Sequence, residues 1–316
     1  MGRLARWAGI GVIGMIGGGV AIAASPAAAA FGCGSVVVGH VVLQSDITGC
    51  TGDGLIVGAA NTRINLNVHA IGGTRAPGSV GIRVSGHNDV RIESTAPFAA
   101  IQEFEVGIGA SATRRLSVSG VATQVVVVGL SLERSRGATV RGNNLGFAER
   151  VPSCDPATAP AGIKLVDSDR NTIRDNAAQL TGYGILLVRS DDNTVRGNGA
   201  APEGSDGNVC DGIALINADR NVLTGNTATE NRSGNPLGGD GIFVDAASAG
   251  TTVRGNHAVT NTDDGIDVDN ATTKIVGNTA DRNDDLGIES VPGVAASGNR
   301  ASGNGNPLQC LNIACT

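Results

Sequence analysis

Gly162-Ile163-Lys164-Leu165, Gly184-Ile185-Leu186-Leu187, Gly212-Ile213-Ala214-Leu215, Gly241-Ile242-Phe243-Val244 and Gly265-Ile266-Asp267-Val268 are five copies of one phrase, Gly-Ile-x-Leu/Val. Gly287-Ile288 opens a worn sixth copy, and degenerate earlier copies start at Gly54, Gly81, Gly107 and Gly129. From Gly54 onward the spacings are 27, 26, 22, 33, 22, 28, 29, 24 and 22 residues. The unit is therefore 22 residues, and every departure lengthens it. Insertions without deletions are what loops added to coils of fixed size produce.

A second apolar pulse follows within each unit, as in Asn171-Thr172-Ile173-Arg174 and Asn193-Thr194-Val195-Arg196. A third begins at another Asn, in the register Asn143, Asn176, Asn198, Asn226, Asn256, Asn278 and Asn299. Each pulse alternates over three to five residues, the period of a strand and too short for a helix. Three short strands per unit, separated by Gly or Asn turns, make one coil of a single right-handed parallel β-helix of about ten coils. Stacking coils roughly 4.8 Å apart turns Ile163, Ile185, Ile213, Ile242, Ile266 and Ile288 into a buried column, and the Asn series into a ladder of side-chain amides.

Composition agrees with a core of small repeated layers. The chain has 48 Gly in 316 residues, twice the usual share, with five Phe, one Tyr and one Trp, and both Met residues lie within the first 15 positions. Gly shows no three-residue period, which excludes collagen, and the regular Val, Ile and Leu exclude wholesale disorder. Leucine-rich repeats require several Leu at fixed offsets that these units lack. Calcium-binding nonapeptide repeats are brushed by Gly238-Gly239-Asp240-Gly241, but no nine-residue period follows.

Arg3 and Arg6 precede an uncharged run from Ile10 to Ala24 and then Ser-Pro-Ala-Ala-Ala-Ala, the pattern of a signal peptide over residues 1–30. The apolar run is too short to span a bilayer, so no transmembrane segment is expected after cleavage and the mature chain is expected to be secreted or held in the cell envelope. Its 21 basic and 29 acidic residues leave a net charge of −8, which disfavours nucleic acid. All six cysteines follow the signal, which in an oxidising compartment suggests three disulfides. Fifteen pairings are possible. Placing each bridge at a cap or across two insertions selects Cys33 with Cys50, Cys154 with Cys210, and Cys310 with Cys315. Residues 31–50 are then expected as an N-terminal cap, 51–305 as the helix and 306–316 as a C-terminal cap, covering the open sheet edges.

The Gly-Ile-x-Val, Asn-x-Ile-x-Gly-Asn and Gly-Ile-Glu units, with the stretch from Asp53-Gly54-Leu55-Ile56-Val57 to Ile71, resemble the right-handed β-helix repeats of the NosD-like and pectin-lyase-like superfamily, as found in exported actinobacterial members. The resemblance runs from about residue 50 to the C-terminus. It implies the fold, whereas its members include polysaccharide lyases, hydrolases, uronan epimerases, tailspikes, adhesins and a copper-maturation accessory protein.

Outward positions of the first strand, two and four residues after the Gly, carry Asp245, Asp267, Asp269 and Glu289, while Asp211, Asp240 and Asp264 precede the Gly and Asp263, Asp284 and Asp285 lie nearby. Asp240, Asp245, Asp267 and Asp269 form a candidate hard-cation set for Ca²⁺. The bland alternative is that an outer sheet face must be solvated and that Asp beside Gly is ordinary turn chemistry. On the second strand Arg141, Arg174, Arg196 and Arg254 align, with Thr224 among them, as a column able to hold the carboxylates or sulfates of an anionic polysaccharide. The resemblance implies that a lyase or epimerase would pair acid-bound Ca²⁺ with an Arg or Lys base. Asp264, Asp267, Asp269 and Lys274 are the candidate catalytic residues, with Lys164, Arg189 and Arg282 as other possible bases. The expected function is an exported protein that binds an anionic polysaccharide and processes it by lyase or epimerase chemistry, with non-catalytic structural or adhesive protein as the main alternative. A copper-accessory role is the minor alternative, since copper sites favour Met and His ligands and no Met follows residue 15.

Overall fold

The computed structural model describes residues 31–95, 99–146, 148, 153–199, 207–232 and 238–316; the expected signal peptide lies outside them. Every regular element among the described residues is a strand, and each strand ladder is parallel. The first sheet stacks eleven strands from Ser35–Val37 to Ile288–Ser290, and the second stacks eleven from His40–Val42 to Ala295–Ser297. The third face has six strands between Ile47–Cys50 and Ala177–Gln179, then four between Thr227–Thr229 and Arg300–Ser302. Gly199 bridges the two groups, pairing with Ala177 on one side and Thr227 on the other. The protein is a right-handed parallel β-helix, as the repeat requires.

Register follows the Gly-Ile phrase through every insertion. Ile163 pairs with Ile185, Ile185 with Ile213, Ile213 with Ile242, Ile242 with Ile266 and Ile266 with Ile288, all at most 4% exposed. Ile173, Val195, Leu223, Val253 and Ile275 make the matching column of the second sheet. On the third face the inward residues shrink to alanine: Ala178, Ala228, Ala258, Ala280 and Ala301.

The shrinkage explains the invariable Gly of the phrase. At Gly265 a Cβ would lie 2.5 Å from the Gly287 carbonyl oxygen and 2.9 Å from the Ala280 Cβ, and Gly241 meets Gly265 and Ala258 at 2.4 and 2.8 Å. These glycines are required by close approach at the corner where the third strand returns to the first sheet. Gly277 and its equivalents after the second strand are required by conformation instead, with φ of +64° at Gly277 and nothing within 4 Å of its added Cβ.

Buried amides close the remaining backbone bonds. Along the expected ladder each Asn donates Nδ2–H to the Oδ1 of the next, Asn143 to Asn176, Asn198, Asn226, Asn256, Asn278 and Asn299 in turn, at 2.9 to 3.0 Å. The same Oδ1 atoms accept the backbone N–H of the preceding coil. A second ladder, Asn208, Asn231, Asn261, Asn283 and Asn304, repeats the device after the third strand and packs its amides against the close-approach glycines.

Three disulfides form in the expected pairs, with Cα separations of 5.3 Å for Cys33–Cys50, 5.6 Å for Cys154–Cys210 and 6.3 Å for Cys310–Cys315. Residues 31–50, expected as a cap, are built as a coil: Ser35–Val37, His40–Val42 and Ile47–Cys50 each pair with the strand of the next coil. At the other end Cys310 bridges to Ile288 and Cys315 to Asn299, laying the terminal segment over the last coil. The 153–160 segment folds outward across the first sheet, where Tyr183 Oη donates to the Cys154 carbonyl at 2.6 Å and Lys164 Nζ to that of Ala157 at 3.0 Å.

Substituting Gly265→Ala is expected to destabilise the helix by about 1–3 kcal/mol, because the methyl group must displace backbone on the next coil. Gly277→Asn, at a left-handed position with open space, is expected to lie within about 1 kcal/mol of the native protein. Denaturant unfolding of the two variants measures the difference.

Candidate functional site

The face of the first sheet is not uniform along its length. Its outward column runs Arg83, Gly109, Ser131, Lys164, Leu186, Ala214, Phe243, Asp267 and Glu289 from coil to coil. In the middle, Ala159 and Ala161 join Tyr183, Leu186, Cys210 and Ala214 in a second apolar cluster outside the helix, with Cys154 and Phe243 at its edge. The disulfide-tied strap therefore covers Lys164, Leu186 and Ala214, positions that alternation alone would leave in water. Beyond Phe243 the face opens and becomes acidic.

Two carboxylate triads occupy this open end: Asp240 with Asp263 and Asp264, and Asp264 with Asp267 and Glu289. Within each, the nearest oxygens lie within 4.8 Å of one another. Asp211, Asp240 and Asp264 precede the column glycines and also serve the fold. Oδ1 of Asp211 accepts the N–H of Asp240, that of Asp240 accepts from Asp264, and that of Asp264 accepts from Leu286, at 2.7 to 3.1 Å. Asp267 has no such duty: its Oδ1 is buried and has no hydrogen-bond partner among the described residues.

Burial pushes the Asp267 carboxyl up to about 7, and the charges of Asp269, Glu289, Asp263 and Asp211 add to the rise. Burial likewise raises Asp240, with Asp211 and Asp267 as its main charged neighbours, and Asp264, which is hydrogen-bonded to Glu289. The smaller rises at Asp263 and Asp269 have the same origin. Every charged group acting on Asp263, Asp264, Asp267 and Asp269 is another carboxylate. Protons or a cation must offset a cluster of this kind at neutral pH.

Of the acids expected to crowd here, the structure brings together Asp240, Asp263, Asp264, Asp267 and Glu289. Asp245 stands apart as a turn cap, accepting the Asn217 N–H at 3.0 Å and the Ser248 hydroxyl. Asp269 is exposed and outside both triads. Lys274 opens a strand of the second sheet, Lys274–Val276, and does not share the face of the acids. Of the other possible bases, Lys164 lies under the strap four coils away, and Arg189 is paired with Asp167 at 2.7 Å. Arg282 follows the third-face strand Thr279–Asp281. Arg141, Arg174, Arg196 and Arg254 do align, in register on the second sheet with Thr224 between the last two, and on a different face from the acids.

Three features escape a reading of the repeat: the strap, the Asp211-Asp240-Asp264 backbone ladder, and the second Asn ladder. A signal for the last existed, since Asn208, Asn261 and Asn283 each stand four residues before a column glycine.

A repeat with this coil and these amide ladders defines a class of solenoid found in several protein families. The model of one of them, described as periplasmic copper-binding protein (NosD), matches residues 44–201, 80–237 and 148–305, and the chain belongs to the NosD family. No curated protein matches it. Among solved structures, the periplasmic alginate epimerase AlgG is similar at 16% identity over 85% of this chain and 70% of its own, with a TM-score of 0.66. The alginate lyase from Paenibacillus sp. str. FPU-7 is similar at 13% identity over 78% and 89%, with a TM-score of 0.53. The Dettilon tailspike protein is similar at 18% identity over 89% and 59%, with a TM-score of 0.54. At these identities the likeness is one of fold. No helix among the described residues is long and apolar enough to cross a membrane.

The raised pKa of Asp267 carries a definite sign. A carboxyl whose folded pKa lies above its unfolded value of about 3.9 weakens the fold as pH rises between the two, so the penalty grows from about pH 4 and is complete above about pH 7. In EDTA, Asp267→Asn is expected to raise the unfolding temperature at pH 8 and leave it nearly unchanged at pH 4, flattening the profile between. Thermal unfolding across that range checks it.

Proposed function

We propose that the protein is exported and binds and processes an anionic polysaccharide on the open end of the first sheet. The observation that carries this reading is Asp267: a carboxyl with one buried, unpartnered oxygen, surrounded by other carboxyls, on a face that solvent reaches and that Phe243 and the strap bound on one side. A hydrogen-bonding oxygen left unmatched beside an open face is suited to a ligand group. Phe243, partly exposed next to Asp267 in the column, offers one apolar surface for a sugar ring. The three disulfides and the signal-like N-terminus support the oxidising side of a membrane. The carbohydrate activities in the names of the epimerase and lyase of like fold support the substrate class.

Ca²⁺ is the cofactor we propose, held by Asp264, Asp267 and Glu289, whose hard oxygen donors suit it. Bound there, it would neutralise the cluster and polarise a sugar carboxylate, which acidifies the adjacent C–H for lyase or epimerase chemistry. The chain's own part is to orient the acids from successive coils. Among the described residues the charged groups acting on these acids are carboxylates, so an acid beside the ion, Asp263, and not Lys274, is the base this face provides.

The copper named in the family description does not fit. All six cysteines are locked in disulfides, and every metal-competent cluster among the described residues consists of carboxylates. Of the histidines, His40 and His257 stand on different sheets and His69 is paired with Asp46. A soft or borderline ion such as copper finds no donor set among the described residues.

Alginate, polygalacturonate and a neutral glucan, each incubated with the protein in Ca²⁺ or EDTA, test the reading. Ca²⁺-dependent unsaturated or epimerised product from a polyuronate, lost in Asp267→Asn, is expected. Absence of any product with Ca²⁺, together with no saturable heat on Ca²⁺ titration, would overturn it in favour of a structural or adhesive role.

A further inference from the structure

The arginine column of the second sheet is left unused by the acidic face. Arg141, Arg174 and Arg196 occupy one register position in three successive coils, and Arg254 the same position two coils further on. The equivalent residues of a parallel ladder are about 4.8 Å apart, so this arrangement stacks like charges at close range. Arginines of the neighbouring turns are paired instead. Arg115, Arg189 and Arg220, in the turns from the first sheet to the second, each grip an aspartate of the preceding coil, Asp89, Asp167 and Asp192, at 2.6 to 2.9 Å. Along the column only Arg174 has a carboxylate partner, Asp175. The guanidinium groups of Arg141, Arg196 and Arg254 have none among the described residues, and all three side chains are exposed.

The surroundings are polar and almost free of negative charge. The other outward column of the same strands presents Thr139, Thr172 and Thr194 beside the first three arginines. A shallow depression lined by Asp175, Arg196, Thr224 and Arg254 continues along the face. In a chain of formal net charge −6, this row, in which Arg141, Arg196 and Arg254 have no carboxylate partner among the described residues, is a local inversion of sign.

We propose that the second sheet is a separate docking surface for a linear carboxylated polysaccharide lying along the solenoid axis, one uronate per coil over Arg141, Arg174 and Arg196. A pyranose ring advances a chain by roughly the spacing of parallel strands, and in an extended 1,4-linked chain every second carboxylate faces the same side, so such carboxylates meet Arg141 and Arg196, two coils apart, each able to bind bidentately, with Arg174 between them held by Asp175. The threonine hydroxyls alongside match the ring hydroxyls of such a chain. Single-stranded nucleic acid is the competing polyanion, and it depends on aromatic side chains for base stacking, of which these strands have none. The surface goes beyond the reaction proposed above and holds the polymer whether or not the first sheet transforms it.

Calorimetry with alginate oligomers of two, four and about twenty residues, at low and moderate salt, tests the surface. Affinity is expected to rise steeply between the dimer and the tetramer, where two carboxylates of one side first span Arg141 and Arg196, and to fall with salt. Arg141→Gln with Arg174→Gln and Arg196→Gln should weaken binding of the long oligomer at least about tenfold and remove most of the salt dependence, with the melting temperature unchanged. Asp267→Asn should abolish turnover and leave this binding intact, which separates the two readings. Unchanged affinity in the triple variant, no binding of any oligomer by the native protein, or equally tight binding of oligothymidylate would overturn the proposal.

Discussion

Each coil of this protein must present to its neighbours the cross-section it receives from them, and the narrowest point of that cross-section is the corner where the third strand turns back into the first sheet. From Gly54 to Gly265, a Cβ on the column glycines would lie 2.4 to 2.8 Å from the carbonyl oxygen of the glycine stacked beneath, and from Gly162 onward the Ala of the third strand or a buried Asn amide closes in from the side. No side chain fits between them. Because parallel strands pass this geometry from coil to coil, insertions must loop out before the corner is reached, which is why the spacings grow from 22 to as many as 33 residues while the register of the isoleucines never slips.

The polar interior obeys the same constraint. A stacked Asn satisfies a backbone N–H and a side-chain neighbour with one oxygen, and gives its own amide to a carbonyl and to the next Asn. Such a ladder matches the buried amide groups within it, the condition for placing polar residues in a core, and leaves Asn208 Oδ1, at the head of the second ladder, without a partner among the described residues. Asp211, Asp240 and Asp264 perform the backbone half of this task with a carboxylate, and so bring charge where an amide would bring none. Once these positions are acidic, Asp263 beside them and Asp267 and Glu289 on the adjoining column complete a cluster that raises the proton affinity of Asp240, Asp264 and Asp267. The acidity of this end is thus partly scaffold and partly surplus, with Asp267 on the surplus side.

The strap divides the first sheet into a covered and an open part. Cys154–Cys210 holds the 153–160 segment over Leu186 and Ala214, and the exposed length begins at Phe243. On the adjoining face the arginine column runs through the coils that the strap covers on the first. Acidic and basic surfaces therefore lie on different sheets and do not neutralise each other.

The period of the Gly-Ile phrase, the alternation of each pulse and the Asn register determined the coil, its number of strands, the buried isoleucine column and one amide ladder. Those are nearest-neighbour properties of a solenoid, in which sequence position converts directly into coil and face. The arginine column was legible for the same reason. What the sequence left open depended on how insertions fold back and on distances between side chains of different coils. Only the tertiary structure placed the strap over Lys164 and Leu186, assigned Asp245 to a turn, separated Lys274 from the acids, and joined Asp264, Asp267 and Glu289. Residues 31–50 became a coil because their strands found partners one turn away, a pairing that the degenerate first repeat conceals.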